Sequence, residues 1–529
     1  MSAPVTAPVG SVRDDPHRFS ARQRLALCVL GITILLISLD QSVLNIAIPT
    51  LVHDLRPSTS GLEWIVDSYV LTQAVFLLLG GALGDRYGRR RMFMCGSAGF
   101  GGGSLMCALV HSTWLLVAAR AVTGIGAAFM VPATLALIVA GFDGHRRARA
   151  IGIWAGVGGV GSAAGPVLGG LLLQHFWWGS VFLINVPVAV VAIVGAWLVM
   201  DESRADDPLP VDPVGVVLSA IGLAALTYAL IIVPSKHWGS PEVVGTLIGS
   251  AVFLAGFAFW DGRREDPLID FALFRNPTFS TGLAAVTALF FAMFGTSFLL
   301  SQYLQFVERA DVFGVGLRFL PMALCSLVAS NLSARLTRLF NLRAVLMAGL
   351  GCTMAGLGIL GVITTRSGYL PVGMSFALLG LGMGLAIAPA STAVVSALPP
   401  EKVGAGSGLR SMVQLLGGSF GVAIIGTLAA SRYRNEVTQA YQTTLSGVPE
   451  PARADISDQI GRAFLTIAEL PPRLADRVSA VTDAAFVSGV RLAALIGLAV
   501  VAVAAIAVAR FIPRNVDVSE DNPSVPMAG

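Results

Sequence analysis

Three charged residues interrupt long apolar runs: Asp40 in residues 25–48, Asp67 in 62–83 and Arg120 in 114–140. A charge at such a place is costly unless it is paired, so each marks a place where chemistry or a tight pair is expected. At about 1.5 Å of rise per residue, Asp40 lies ~12 Å, Asp67 ~8 Å and Arg120 ~9 Å from the same end of their runs. The three are therefore expected to face one cavity. Burial and a neighbouring guanidinium push a carboxylate in opposite directions, a balance suited to taking a proton on one side and releasing it on the other. Two readings stay open: Asp40 or Asp67 carries that proton, or Asp40 caps a kink or pairs permanently with Arg120, and Asp67 is a near-interface structural acid. Trp64, Tyr69, Trp154 and Phe294 are candidate lining for a cavity holding lipophilic cations, through cation–π contacts of about 0.5–2 kcal/mol each. The alternative is that they pack against lipid or neighbouring helices.

Other patterns carry no chemistry in their context. Gly417-Gly-Ser419-Phe-Gly421 matches a nucleophile elbow and Gly156-Val-Gly158-Gly159-Val-Gly161 a dinucleotide loop. Both motifs need a strand running into a helix start, and both lie inside apolar helical runs. The six histidines lack ligand spacing, and there is no GxxxxGK[ST] loop for ATP. No metal, cofactor, ATP, nucleic acid or enzymatic activity is expected. The five cysteines have no paired spacing and are expected to be core thiols.

The elements that must position these residues are membrane helices. The chain has 529 residues, 55% hydrophobic and only 12% charged, with a mean hydropathy of +0.76. Ordinary soluble domains carry about 25% charged residues, so a soluble enzyme or nucleic-acid binder is excluded. Fourteen apolar runs are long enough to span: 25–48, 62–83, 92–110, 114–140, 150–173, 179–200, 214–234, 242–260, 279–301, 313–334, 343–364, 370–396, 404–430 and 486–511. Alternate loops and the two tails hold 21 basic residues, while the opposite short loops hold only Arg56, Lys236, Arg309 and Arg366. The positive-inside rule then places both termini in the cytoplasm. Residues 431–485 form a polar stretch on the outer face, where segments such as 455–470 have the period of amphipathic helices lying on the membrane.

Between the second and third runs stands Gly81-Ala-Leu-Gly84-Asp85-Arg86-Tyr-Gly88-Arg89-Arg90-Arg91. Its glycines permit a tight turn, and Asp85 with the arginines can form charge-assisted bonds that hold an inner gate. The fifth run reads Gly156-Val-Gly158-Gly159-Val-Gly161-Ser-Ala-Ala-Gly165-Pro166-Val-Leu-Gly169-Gly170, small residues that let helices approach and slide, with a proline that bends the rod. These stretches resemble the cytoplasmic signature and the antiporter signature of the major facilitator superfamily. Leu39-Asp40-Gln-Ser-Val-Leu-Asn45-Ile-Ala-Ile-Pro49, Trp64-Ile-Val-Asp67-Ser-Tyr69, Phe182-Leu-Ile-Asn185-Val-Pro187, Gln302-Tyr-Leu-Gln305 and Phe420-Gly-Val-Ala are similar to its fourteen-helix drug:proton antiporters of the QacA type. The resemblance covers roughly residues 25–430 and departs in two places. Arg410, Ser411 and Leu415 stand where QacA-type proteins carry acids, and Trp177-Trp178-Gly179-Ser180 lacks an arginine common in relatives.

The resemblance implies an all-α bundle of two six-helix halves plus two central helices. Its parts are an N-terminal tail (1–24), a first half (25–200), a linker with two helices (201–278), a second half (279–511) and a C-terminal tail (512–529). It implies proton-coupled export of drugs or antibiotics across the cytoplasmic membrane by alternating access. The site residues are then Asp40, Asp67 and Arg120 for coupling, Gly81, Asp85, Arg86, Gly88, Arg89 and Arg90 at the inner gate, and Gly161, Gly165, Pro166, Gly169 and Gly170 in the antiporter helix. Arg410 joins the candidate cavity lining. The alternatives are a dedicated exporter of one compound or a proton symporter for uptake. The partners are small molecules, protons and lipid, and the chain is expected to be monomeric.

Overall fold

A computed structural model describes residues 19–513, apart from 56–58, 205–211, 237, 265, 266, 268–270, 399–402, 442–444, 446, 447, 459 and 468. Most of both expected tails, and Lys402, lie outside the described residues. In a bilayer every backbone N–H and C=O must find its partner within the segment, so the apolar runs form helices. The described residues contain no strand. In chain order the helices are α1 (Ala21–Leu55), α2 (Thr59–Tyr87), α3 (Arg89–Leu109), α4 (Thr113–Gly141), α5 (Gly144–His175), α6 (Ser180–Leu183), α7 (Asn185–Val199), α8 (Pro213–Lys236) and α9 (Pro241–Asp261). After a 3₁₀ turn at Phe271–Arg275 come α10 (Pro277–Gln302), a π segment at Tyr303–Val307, α11 (Val312–Phe340), α12 (Leu342–Leu360), α13 (Tyr369–Ser396), α14 (Val403–Tyr441), α15 (Glu450–Asp458), α16 (Ile460–Ile467) and α17 (Pro472–Phe511). Helix starts are set locally: Ser240, Asn276, Asp311 and Asn341 each accept an N–H of the first turn they precede.

Among the described residues thirteen helices are long and apolar enough to cross a membrane. The fourteenth expected span, 150–173, lies on α5, several of whose side chains fall outside the description. The expected sixth span is broken at Ile184 into α6 and α7. The polar stretch 431–485 is also shorter than expected, because α14 continues to Tyr441 and α17 starts at Pro472. Its two short helices bury part of their apolar sides within the protein, while Phe464 of α16 stays exposed. Ile456, Ile460 and Ala463 are buried, and the Tyr433 hydroxyl donates to the Ile456 carbonyl at 2.8 Å. The expectation of core thiols holds only for Cys107, which is buried; Cys28 and Cys95 are exposed on the bundle surface.

The α5 glycines form a rail. A Cβ on Gly161 would lie 2.6 Å from the Leu35 carbonyl oxygen, and one on Gly165 would overlap the Ser42 hydroxyl, both on α1. Gly152 and Gly156 meet Ser330 of α11 in the second half. Gly170, by contrast, has open space around it, and Pro166 lies on α5 with its side chain outside the description.

Gly165→Val should therefore force α5 off α1 and lower stability by about 1–3 kcal/mol. Gly170→Ala should stay within about 0.5 kcal/mol. Heat-induced loss of the monodisperse peak in detergent separates the two.

Candidate functional site

Asp40 and Arg120 meet directly. An Arg120 Nη1 donates to Asp40 Oδ2 at 2.6 Å, with both side chains 1% exposed. Asn185 Nδ2 donates to the other carboxylate oxygen at 2.8 Å and to the Ser104 hydroxyl at 3.1 Å. The Arg120 Nε reaches the Ile65 carbonyl at 3.4 Å. The guanidinium lies over the Tyr69 ring at 4.4 Å and 5.6 Å from the centre of Phe182. Helices α1, α2, α3, α4, α6 and α7 thus converge on one buried pair, each carboxylate oxygen holding one donor.

The break at Ile184 is what starts α7 with Asn185, buried beneath Asp40. Sequence reasoning quoted Asn185 as part of a resemblance and gave it no role. Its signal was an amide inside an apolar run, which must find a partner once buried.

Asp67 does not join this pair's side of α2. Ile65 and Tyr69, one helical turn apart, face Arg120, and Thr72 on the same side donates to the Ala121 carbonyl at 3.0 Å. At 3.6 residues per turn, Asp67 falls midway between Ile65 and Tyr69 on the opposite face. Further along that face Leu78 and Gly81 approach Gly408 of α14. Asp40 and Arg120 thus form a sealed pair, and Asp67 sits on the side of α2 away from Ile65 and Tyr69. Similar depth in the bilayer was legible in the sequence, but the angle around the helix decides the matter.

The signature residues lie together at the other end of α2. Asp85 Oδ1 accepts from Arg89 Nη2 at 2.8 Å and Nε at 3.0 Å, with both side chains buried. Gly88 has φ of +111°, a conformation that disfavours any side chain, and a Cβ there would meet the Glu202 carboxylate. Glu202, just after α7, accepts from the Arg90 backbone N–H at 3.0 Å and sits within 4 Å of the Arg90 and Arg91 side chains. Arg90 Nη1 also donates to the Met200 carbonyl at 2.9 Å. Arg86 stacks on the neighbouring Tyr87 ring at 5.6 Å. These contacts tie the α2–α3 turn to the end of α7, within the first half. The crossing to the second half is made by glycine: a Cβ on Gly408 would lie 3.1 Å from the Leu77 carbonyl oxygen and 3.8 Å from Gly81 Cα. Glu202 was missed because an acid in a loop carries no periodicity to announce it.

The remaining candidates separate. Trp64 stacks on Tyr228 of α8 at 5.9 Å, and Phe294 stacks on Phe290 at 5.8 Å. Tyr69 belongs to the cushion under Arg120. Trp154, 3% exposed, donates to Thr134 at 3.1 Å and lies under the Arg410 guanidinium at 5.5 Å, across the boundary between the halves.

Replacing Glu202 by Gln should weaken the hold on the α2–α3 turn. The Arg90 amide should then exchange with solvent deuterium roughly tenfold faster, as the loss of about 1.5 kcal/mol from a charge-assisted bond predicts. Hydrogen exchange read by mass spectrometry on the peptide spanning that turn measures it.

The sequence matches a known family and known exporters over most of its length. The Major Facilitator Superfamily profile matches residues 30–422. A tetracenomycin C resistance and export protein of Streptomyces glaucescens is 34% identical over 95% of this chain and 94% of its own length. The multidrug efflux pump LfrA of Mycolicibacterium smegmatis is 34% identical over 93% and 98%, and the methyl viologen resistance protein SmvA of Salmonella typhimurium 32% over 85% and 90%. Among solved structures, the human organic anion transporter MFSD10 superposes with a TM-score of 0.58 over 91% of this chain and 100% of its own, at 15% identity, a likeness of fold alone. A chain of membrane helices with the Gly81–Arg91 turn, the Asp40–Arg120 pair and the α5 glycine rail, matched by that profile over most of its length, belongs to the Major Facilitator Superfamily.

Proposed function

We propose that this chain exports drug-like small molecules across the cell membrane in exchange for protons, with Asp40 as the coupling acid. The single observation that carries the coupling role is the Asp40–Arg120 pair, an ion pair 1% exposed that leaves each partner a second set of contacts. Its export role is supported by relatives named for drug resistance and efflux, aligned over 90–98% of their lengths.

The steps follow from the geometry. With Asp40 ionised, its two oxygens hold Arg120 and Asn185 and draw α1, α4 and α7 together. A proton on Asp40 removes the charge that Arg120 answers. The guanidinium then rests on what it already touches, the Ile65 carbonyl and the Tyr69 and Phe182 rings, so it is not stranded. Weakening this clamp frees α1 to shift along the α5 glycine rail, which touches α11 of the second half through Gly152 and Gly156. Proton binding is thereby linked to the rocking of the two halves. Residues 25–200 and 279–511 act as these halves, with 201–278 as the linker. The basic residues put both termini in the cytoplasm. The chain works as a monomer, without ATP. The alternatives are export of one dedicated compound and uptake by symport. The α5 rail matches an exporter signature and favours export.

In inside-out vesicles with an acidified lumen, drug addition should release luminal protons. Asp40→Asn should abolish that release, while Asp67→Asn should keep most of it. Drug-driven proton release surviving in Asp40→Asn, with insertion verified, would contradict the assignment.

A further inference from the structure

A further buried cation, besides Arg120 and Arg89, stands at the boundary between the halves. Arg410 lies on α14, two residues beyond the Gly408 contact with Leu77 and Gly81, and is 1% exposed. Its Nη1 donates to Gln414 Oε1 at 2.5 Å and its guanidinium faces the Trp154 ring of α5 at 5.5 Å. Its Nε has no acceptor. Among the described residues no carboxylate pairs with it, unlike Arg120, Arg89 and Arg264, which each hold an acid. A guanidinium is never deprotonated in a protein, and burying one without a counter-charge is strongly unfavourable. It persists where a transient partner supplies the negative charge.

The position says when that partner arrives. The packing around Arg410 seals the halves: Leu78 of α2 clusters with Leu398 and Leu409, and Trp154 and Ile151 of α5 cluster with Ala388 and Val395 of α13. Parting the halves at this end would uncover the guanidinium on one wall and the Trp154 ring on the facing wall, with a gap between them for a flat ring. An Arg donates a planar fork to a carboxylate or acidic phenol, and a fixed indole stacks on a flat ring. Trp154 is fixed by its bond to Thr134, which itself donates to the Val131 carbonyl at 2.7 Å.

We propose that Arg410 and Trp154 form a recognition site for the anionic group of flat aromatic substrates. The site gives this transporter a preference for organic anions over lipophilic cations. This rests on the export reading above and adds its substrate class. Binding an anion here also supplies the counter-charge Arg410 lacks when the halves seal over it, so an occupied site closes more readily than an empty one.

The test uses three near-isosteric probes: anthracene carboxylate, the uncharged anthracene carboxamide and anthracenylmethyl trimethylammonium. Binding to the purified full chain in detergent, by equilibrium dialysis, needs no proton gradient, so its outcome is independent of whether export is proton-coupled. Wild type should bind the carboxylate at least about tenfold tighter than the carboxamide, the worth of one charge-assisted pair. Arg410→Gln should erase that ratio and Arg410→Lys should restore part of it. Trp154→Leu should weaken all three probes while keeping the carboxylate preference. Equal binding of carboxylate and carboxamide by wild type, a preference for the ammonium, or an unchanged ratio in Arg410→Gln would each overturn the proposal. The wild-type comparison alone decides it if the variants do not fold.

Discussion

The buried pair of Asp40 and Arg120 is the constraint around which the first half is organised. Two opposite charges with 1% exposure cannot be left unmatched, and the protein answers them from six helices. Removing one partner of such a pair costs about 3–5 kcal/mol, because the other is stranded. In the proposed exchange the same cost would make it a switch, since protonation removes the attraction without removing an atom. A pair that served rigidity alone could be replaced by apolar packing. This one has alternative lodging for the guanidinium already in place, on the Tyr69 and Phe182 rings.

A second organising fact is that glycines bring backbones of the two halves close at several of their contacts. Gly408 against Leu77, and Gly152 and Gly156 against Ser330, bring backbones close with no side chain to unlock. Lipid gives helices no hydrophobic reason to associate, so close packing must do it, and a glycine surface can part and re-form at low cost. The charged signature turn does a different job. Asp85, Arg89, Arg90 and Glu202 hold the α2–α3 turn against the end of α7. Arg410 departs from this scheme, a charge set among glycines and apolar side chains at the seal, and so it points to a partner from outside the chain.

Much of this was legible in the sequence, and what was not has a physical reason. The bundle follows from hydropathy, since lipid permits little but helices. Asp40, Arg120 and Asp85 stood out because charges in apolar runs or glycine frames are conspicuous. Asn185, Ser104 and Glu202 did not, as polar residues of ordinary cost whose meaning lies in what folds against them. Depth alone did not place Asp67, because depth is a one-dimensional quantity, while two residues of rotation on α2 turn a side chain to the other face. The amphipathic period of α15 and α16 was correctly visible in 455–470. The period alone did not show that Ile456, Ile460 and Ala463 would be buried within the protein.

The central claim is that Asp40 gains and loses a proton as the transporter turns over. Infrared difference spectroscopy on the purified protein, comparing drug-bound and drug-free states at matched pH, reads this directly. The account predicts a carboxylic-acid carbonyl band that changes on drug binding and vanishes in Asp40→Asn. A band that survives that substitution unchanged, or spectra showing Asp40 ionised in both states, would contradict it and leave the pair as a fixed clamp.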